Sequence, residues 1–399
     1  MSIRAAALLV RARAGESPWF TIGGDNTMED TARTVAEVTR DRYPWSPIPY
    51  HSRWRHFEAG GVNRVRALDE LLGKVTANQR AYAHIDLVLV SVLLDAGAGP
   101  DWHYVEPATG QRFTRSEGLG VASFHAFTSG LFSSNPRQPL QVDAAGLRAL
   151  VTDRLGDAFQ VSTYNTLVGL PGRATLLRRL GEAMSEQPET FGDDGRPGGL
   201  FDALIAPLGP AAPPTAEIAA HDILSLLLKS LSGIWPASNA IDPAFPLGDC
   251  WRHSAVRGPG LTDGWMPFHK LSQWLTYSLL EPFEWAGVKV RHLEALTALP
   301  EYRNGGLLID SGLIVPRDPA SLARTWKAGD EFVVEWRALT IALLDELAPR
   351  VRKVLGRTDE DLPLARVLEG GTWAAGRVMA QRLRDGAPPV RVESDGTVF

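Results

Sequence analysis

A chain of 399 residues with 44% hydrophobic and 22% charged residues has the composition of a soluble globular protein with a full core, divided into two to three domains or built as one large one. A net charge of −5 excludes a general attraction to nucleic acid or to an anionic membrane. The single cysteine, Cys250, excludes an intramolecular disulfide and a cysteine-built zinc site.

The first residues, SIRAAALLVRARAG, hold a short apolar run between arginines and lack the long apolar region and cleavage site of a signal peptide. No stretch approaches the ~20 uninterrupted apolar residues of a membrane span, so the cytoplasm is the expected compartment. Ser2 to Ala12 and Thr27 to Arg42 read as helices, the second because Met28, Thr31, Val35, Val38 and Thr39 recur at helical spacing behind Asn26 and Thr27 as caps. Pro44, Pro47 and Pro49 then force an extended connection. It delivers HSRWRHFEAGGVNR, His51 to Arg64. His51, Arg53 and Arg55 beside the pair Gly60 and Gly61 are suited to a phosphate, with forked guanidinium donors and free backbone amides. Structural ion pairs with Glu58 and Asp69 account for the same residues equally well.

Asn78 to Ala96 reads as a buried helix closed by Gly97, Gly99 and Pro100, with His84 a core histidine. WHYVE, PATG and QRFTR form a short hairpin between Trp102 and Arg115. Helices are expected at about Gly118 to Leu131, Asp143 to Phe159 and Gly172 to Glu186. Gln187 to Pro214 is rich in Gly and Pro and is the expected boundary between an N-terminal helical lobe, 1–190, and a C-terminal lobe, 215–399, of one family domain. Thr215 to Gly233 reads as a largely buried helix in which His221 is a satisfied core residue.

Pro267 is placed to start a helix, with Asp263 and Gly264 upstream. On it Lys270, Trp274, Tyr277, Ser278 and Glu281 share one face, which suits a substrate-facing surface, and Pro282 should end or kink it. In LPEYRNGGLLID, Pro300 and the pair Gly305 and Gly306 are expected to leave Glu301, Tyr302 and Arg303 on a turn with an extended segment behind. Asp330 to Leu355 carries an apolar stripe of Phe332, Trp336, Leu339, Leu343, Leu347 and Val351. Pro363 to Leu383 follows, its Gly370, Gly371 and Gly376 suited to close helix approach, and the tail VRVESDGTVF is extended. The fold class is therefore mainly α, a compact body of two helical lobes with at most a small β-hairpin.

The region from Leu247 to Asp310 concentrates the chemistry. Five of the twelve tryptophans lie between Trp235 and Trp285. Among them stand Asp249, Trp251, Arg252, His253, His269, Lys270, Trp274, Glu301, Tyr302, Arg303 and Asp310. Charged groups crowded into apolar surroundings are costly unless they meet each other or a ligand, and the mixture is that of a small-molecule pocket; a Trp-rich core with surface charges remains the alternative. No phosphate-binding loop, dinucleotide fingerprint, nucleophile elbow or HExxH zinc motif is present. The histidines are scattered, so no metal and no cofactor is expected.

HSRWRHFEAGG, GDCWRH, DGWMPFHKLSQWLTYSLLEPFEWAG, LPEYRNGGLLID, VEWRALTIALLDELAP, LARVLEGGTWAAGR and SDGTVF together resemble the uracil-catabolism family of fungal and bacterial pyrimidine-degradation clusters, formerly a domain of unknown function. The resemblance spans nearly the whole chain. It implies a pathway that opens the pyrimidine ring while the ribosyl group is attached and eventually releases urea, so that the N-glycosidic bond of a ribosylurea must be cut. FHKLSQWL and LPEYRNGG are also similar to the lysine helix and the acidic turn of the queuosine nucleosidase (salvage) family. That second similarity implies a fold like the helical DNA glycosylases and cleavage of an N-glycosidic bond. Lys270 and Glu301 would be its catalytic pair, Glu301 standing where that family has Asp.

The chemistry such a reaction needs is a carboxylate near C1′ and a proton or donors for the leaving ureide, for which Lys270, His269 and Tyr302 are candidates. A 5′-phosphate would be met by His51, Arg53 and Arg55 or by Arg252 and His253. The implied partner is a small ribosyl substrate, with no nucleic acid and no membrane. Two other functions fit: a metal-dependent hydrolase of the ureido group built from His51, His56, Asp249, His253 and Asp310, and a non-catalytic partner of pathway enzymes.

Overall fold

Twenty-five residues from Glu331 to Leu355 form the longest helix among the described residues of the computed structural model, which are 2–45, 47–208, 216–235, 240–241 and 246–393. Asp330 precedes the helix, Glu331 lies in its first turn, and Arg352 and Lys353 complement the helix dipole in its last. The expected stripe of Phe332, Trp336, Leu339, Leu343, Leu347 and Val351 is buried throughout, each large apolar side chain contributing about 1.5–3 kcal/mol. The fold is mainly α. Among the described residues the strands are three residues each and pair two by two in five places, where the sequence led us to expect one hairpin.

The chain divides into two units that exchange along the sequence, 1–51 with 249–270 and 293–393, and 52–248 with 271–292. In the first, the helices Ile3–Ala12 and Asp25–Arg42 lie against Glu331–Leu355. The ion pairs Arg4–Asp345 (2.7 Å), Arg11–Glu346 (3.0 Å) and Arg350–Glu29 (3.1 Å) fix the three helices to one another. Short strands pair Phe20–Ile22 with Ile314–Pro316 and Cys250–Arg252 with Trp265–Pro267 in antiparallel register, and Thr325–Lys327 with Arg391–Glu393 in parallel. The extended tail is described as far as Glu393; SDGTVF lies outside the described residues.

LPEYRNGGLLID is not a turn with an extended segment behind it. Tyr302–Asp310 is a helix, and Glu301 is its N-cap. Gly305 and Gly306 do not break it, because Gly305 is the point where this helix meets the indole of Trp336. A Cβ there would lie 2.6 Å from Trp336 Cε2, and the indole nitrogen donates to the Gly305 carbonyl at 3.0 Å. The expected Pro363–Leu383 helix is three pieces: Leu364–Val367, a π-helical turn Leu368–Thr372, and Trp373–Arg384. A side chain at Gly376 would fall on the Arg303 carbonyl, the close approach that the glycines had promised.

In the second unit, Ala77–Leu93 begins with a capping box between Thr76 and Gln79 and is buried nearly throughout. His103–Val105 and Arg112–Thr114 make the expected hairpin. The single helix expected at Asp143–Phe159 is two, Ala144–Arg148 and Thr152–Ala158, because Val151 turns extended between them. Ala220–Ser230 starts later than expected, since Glu217–Ala219 pairs as a strand with Lys289–Arg291; Thr215 lies outside the described residues. That register leaves His221 exposed and bonded to Ser225 at 3.2 Å, so it is not a core residue. The Gly- and Pro-rich stretch lies, as far as Leu208, within this unit and includes the helices Pro188–Phe191 and Gly199–Ile205; 209–214 lie outside the described residues.

Pro267 starts no helix. It ends a strand, and the helix runs from Lys270 to Trp285. Pro282 neither ends nor stops it. A proline at 282 withdraws the amide that Ser278 would otherwise receive, and the Trp54 indole donates to that carbonyl at 2.7 Å instead.

Candidate active site

Asp249 organises one side of the site in the first unit. It precedes the Cys250–Arg252 strand, and its backbone carbonyl accepts from the amides of Phe268 (2.9 Å) and His269 (3.1 Å), so the chain returns to it just before the helix. Its carboxylate caps the helix by accepting the Lys270 amide at 3.0 Å. The same carboxylate receives both arms of Arg337 at 2.7 Å each and the Trp251 indole at 2.8 Å. Four donors saturate a carboxylate. Burial alone would raise the Asp249 carboxyl, but Arg337, the Lys270 amide and the Trp251 indole hold it down at about 2.

Arg337 also reaches the other side. Its Nε donates to the Pro300 carbonyl at 3.2 Å, and its guanidinium lies 4.0 Å from the Phe268 ring centroid. One buried arginine therefore ties the start of the Lys270 helix to the residue before Glu301. His269, between Asp249's amide contacts and Lys270, adopts φ +47°, a left-handed conformation that a non-glycine residue holds at a cost. Burial lowers the pKa of its imidazole.

Glu301 is half-buried at the N-terminus of Tyr302–Asp310. One carboxylate oxygen accepts the Arg303 amide at 2.7 Å, the other the Asn304 amide at 2.5 Å. Each oxygen keeps a second lone pair, so capping fixes the carboxylate without exhausting it. Burial pushes the Glu301 carboxyl up, while the two amides and the charges of His51 and Lys270 pull it down. Glu301, Lys270 and His51 thus share one electrostatic neighbourhood. His51 is itself held by Glu369, Nδ1 to Oε2 at 2.8 Å.

The remaining candidates divide. Arg303 gives its amide to Glu301, sends its guanidinium to the Gly386 carbonyl at 3.1 Å, and lies over the Tyr302 ring at 5.0 Å. Asp310 pairs with Arg384 at 2.6 Å, nine residues and about 13 Å along the helix from Glu301. His253 faces Glu335 at 3.3 Å, and its Nδ1 accepts the Ala255 amide. Arg252 is exposed at the end of the Cys250–Arg252 strand, 4.0 Å from the Trp265 ring centroid.

Arg53, Arg55 and Trp274 belong to the second unit. Arg53 is fully buried, pairs with Asp95 at 2.7 Å, and stands 5.5 Å from the Trp274 ring centroid; it donates to His56 Nδ1 at 3.0 Å. Arg55 pairs with Glu281 at 2.7 Å and Glu58 at 3.1 Å. Both arginines of HSRWRH thus have acidic partners, including Glu58 as one of the two readings required; Asp69 pairs instead with Arg80 and His84. The helix face expected to meet substrate is packed: Ser278 donates to Trp274's carbonyl at 2.8 Å and receives the Arg53 amide at 2.9 Å, and Glu281 accepts from Ser52 at 2.5 Å. Burial pushes the Glu281 carboxyl up to about 7 despite Arg55.

The five residues of the metal-site alternative are not assembled. Among the described residues no group of three or more His, Cys, Asp and Glu side chains could hold a metal ion. Asp249, His253 and Asp310 are each committed to the partners given above. Two residues of the site had escaped sequence reading. Arg337 lies in the middle of an apolar stripe, where a charge between Trp336 and Ala338 was itself a signal, and Glu369 precedes the Gly370–Gly371 pair that had been read only as a packing feature.

Glu301, capped and half-buried, therefore lies within the electrostatic reach of Lys270 and of His51, whose ring is bound to Glu369. The chain belongs to the family described as Protein of unknown function (DUF1688), which matches residues 1–399. It is 40% identical over 400 residues to Uracil catabolism protein 4 of Lachancea kluyveri, an alignment covering 93% of this chain and 90% of that protein. It is 42% identical over 361 residues to Protein urg3 of Schizosaccharomyces pombe, covering 89% of this chain and 85% of that protein. Among the described residues no helix is long and apolar enough to cross a membrane.

Proposed function

We propose that this protein acts in uracil catabolism as an N-ribosyl hydrolase, cleaving ribosylurea or its 5′-phosphate to urea and ribose or ribose 5-phosphate. The observation that carries the reading is Glu301: a carboxylate fixed by two backbone amides, raised by burial, and placed in the fields of Lys270 and His51. The name of the Lachancea relative supports the pathway, and the likeness of FHKLSQWL and LPEYRNGG to the queuosine nucleosidase family supports the bond.

Departure of a ureide from ribose develops positive charge at C1′ and the ring oxygen. An ionised Glu301 stabilises that charge and takes a proton from the water that adds to C1′ as the C1′–N bond breaks. Burial raises its affinity for that proton toward working pH, which is the tuning a general base requires. The Lys270 ammonium, carried by a residue whose backbone amide Asp249 holds at the helix start, stabilises the electron pair left on the ureide. General base catalysis supplies about 10²–10⁴-fold and electrostatics and positioning the remainder.

The test is incubation of the purified protein with synthetic ribosylurea and with its 5′-phosphate, followed by assay of released urea. Urea from either substrate establishes the activity and excludes a purely non-catalytic partner role. No urea from either ends the proposal.

A further inference from the structure

We propose that His51, oriented by Glu369, gives the leaving ureide its proton, with Glu369 a positioning residue that acts through the imidazole. This rests on the N-ribosyl hydrolase reading above.

The π-helical turn Leu368–Thr372 carries the geometry. Such turns are rare and concentrate at functional sites. Here one turn serves two parts of the site. Glu369 Oε2 meets His51 Nδ1 at 2.8 Å, and Thr372 Oγ1 donates at 2.8 Å to the side-chain oxygen of Asn304, whose backbone amide donates to the Glu301 carboxylate. The His51 amide is pinned to the Ala365 carbonyl at 2.9 Å, just before the turn, and its ring lies 6.1 Å from that of Trp373, just after it. His51 and Glu301 are thereby placed by the same few residues.

Glu369 is built as an anion. Arg42 Nη2 and Tyr43 Oη each reach its Oε1 at 3.1 Å. Burial opposes the ionised form, yet these donors and His51 hold the carboxyl below its ordinary range. A buried pair of this kind is weak as a device for stability alone. The ionised carboxylate accepts the Nδ1–H of the ring and leaves Nε2 as the nitrogen that exchanges a proton with a ligand. Glu301 lies within the electrostatic reach of His51 and of Lys270, and Arg42 and Tyr43 meet Glu369 from the end of Asp25–Arg42.

The step balances. Imidazolium Nε2–H passes its proton to the ureide nitrogen as that nitrogen takes the C1′–N electron pair. Glu301 accepts the proton of the adding water. After release of urea and ribose, Glu301 returns its proton and His51 regains one from solvent, so the net reaction consumes one water.

The test compares two leaving groups. Ribosylurea needs protonation, whereas p-nitrophenyl riboside leaves as a stable phenolate. His51→Gln should lose about 10²-fold in kcat on ribosylurea, and at least tenfold less on the nitrophenyl riboside. Glu369→Gln should move the alkaline limb of the kcat–pH profile for ribosylurea to lower pH, because the imidazolium loses its counter-charge, with KM changed less than about threefold. If His51→Gln misfolds, the Glu369→Gln profile decides alone. Equal losses on both substrates, or an unmoved limb, overturn the assignment and leave the hydrolase reading standing. A wild-type protein that cleaves neither substrate removes both.

Discussion

Replacing Glu301 by Gln separates the helix cap seen in the structure from the catalytic role proposed above. The amide oxygen of Gln can accept one of the two backbone donors, Arg303 N or Asn304 N, now at 2.7 and 2.5 Å. Its NH2 cannot accept the other. The expected cost is that of a partly lost N-cap, about 1–2 kcal/mol. Against a domain stability of about 5–15 kcal/mol this leaves nearly every molecule folded. Catalysis loses the charge at C1′ and the base together, a factor of about 10³ in kcat, equivalent to about 4 kcal/mol in the barrier. The catalytic effect thus exceeds the structural one and falls on a different observable. The assay is urea release from ribosylurea under saturating and sub-saturating conditions, normalised to protein that retains the helical circular dichroism of the wild type. The expected pattern is a collapse of kcat with KM changed less than about fivefold. A folded Glu301→Gln protein with near wild-type turnover refutes the reasoning, because a cap that serves only the helix gives a lower melting temperature and leaves kcat intact.

Three further outcomes follow from the geometry. Asp249→Asn leaves Arg337 buried without its anion and should destabilise by about 3–5 kcal/mol in urea denaturation at pH 7. The Asp249 carboxyl is held at about 2, below its ordinary value near 4. Its ionised form therefore adds about 2–3 kcal/mol that is present above about pH 4 and lost as pH falls toward 2, and the Asn variant should lack this stretch of the acid-denaturation curve. Trp54→Phe leaves the Ser278 carbonyl without the indole donor and should cost about 1–3 kcal/mol. In a Pro282→Ala background the restored amide can take that carbonyl, so the Trp54→Phe cost should shrink, which a double-mutant cycle in denaturant measures.

Helices were read directly from the sequence at Ser2 to Ala12, Asn78 to Ala96 and Asp330 to Leu355, the last by its apolar stripe, because each stores its information within a few turns of chain. The proposal of Glu301 and Lys270 as a pair came only through resemblance; no local pattern marks either residue. What the sequence misjudged was the meaning of Gly and Pro. Gly305 and Gly306 read as breakers, yet both sit inside a helix, Gly305 at the point where the indole of Trp336, thirty-one residues on, needs the space. Pro282 read as an end or a kink, and the helix runs on past it to Trp285, with Trp54, more than two hundred residues earlier, supplying the missing donor. His221, read as core, is exposed because a strand pairing between residues 217–219 and 289–291 sets where its helix begins.

The same distinction governs the site. The sequence by itself determined which charged groups stand among the tryptophans and that the chain would be mainly helical, since both depend on residue type and near-neighbour spacing. Only the tertiary structure decided which charges meet. Asp249 reads as a candidate for substrate and becomes a saturated anchor once Arg337, eighty-eight positions away, closes on it. His51 reads as part of a basic motif and becomes a carboxylate-bound imidazole once Glu369, three hundred and eighteen positions away, reaches it. A charge buried at a distance of hundreds of residues leaves no periodic trace in the chain, and only three-dimensional packing brings it to its partner.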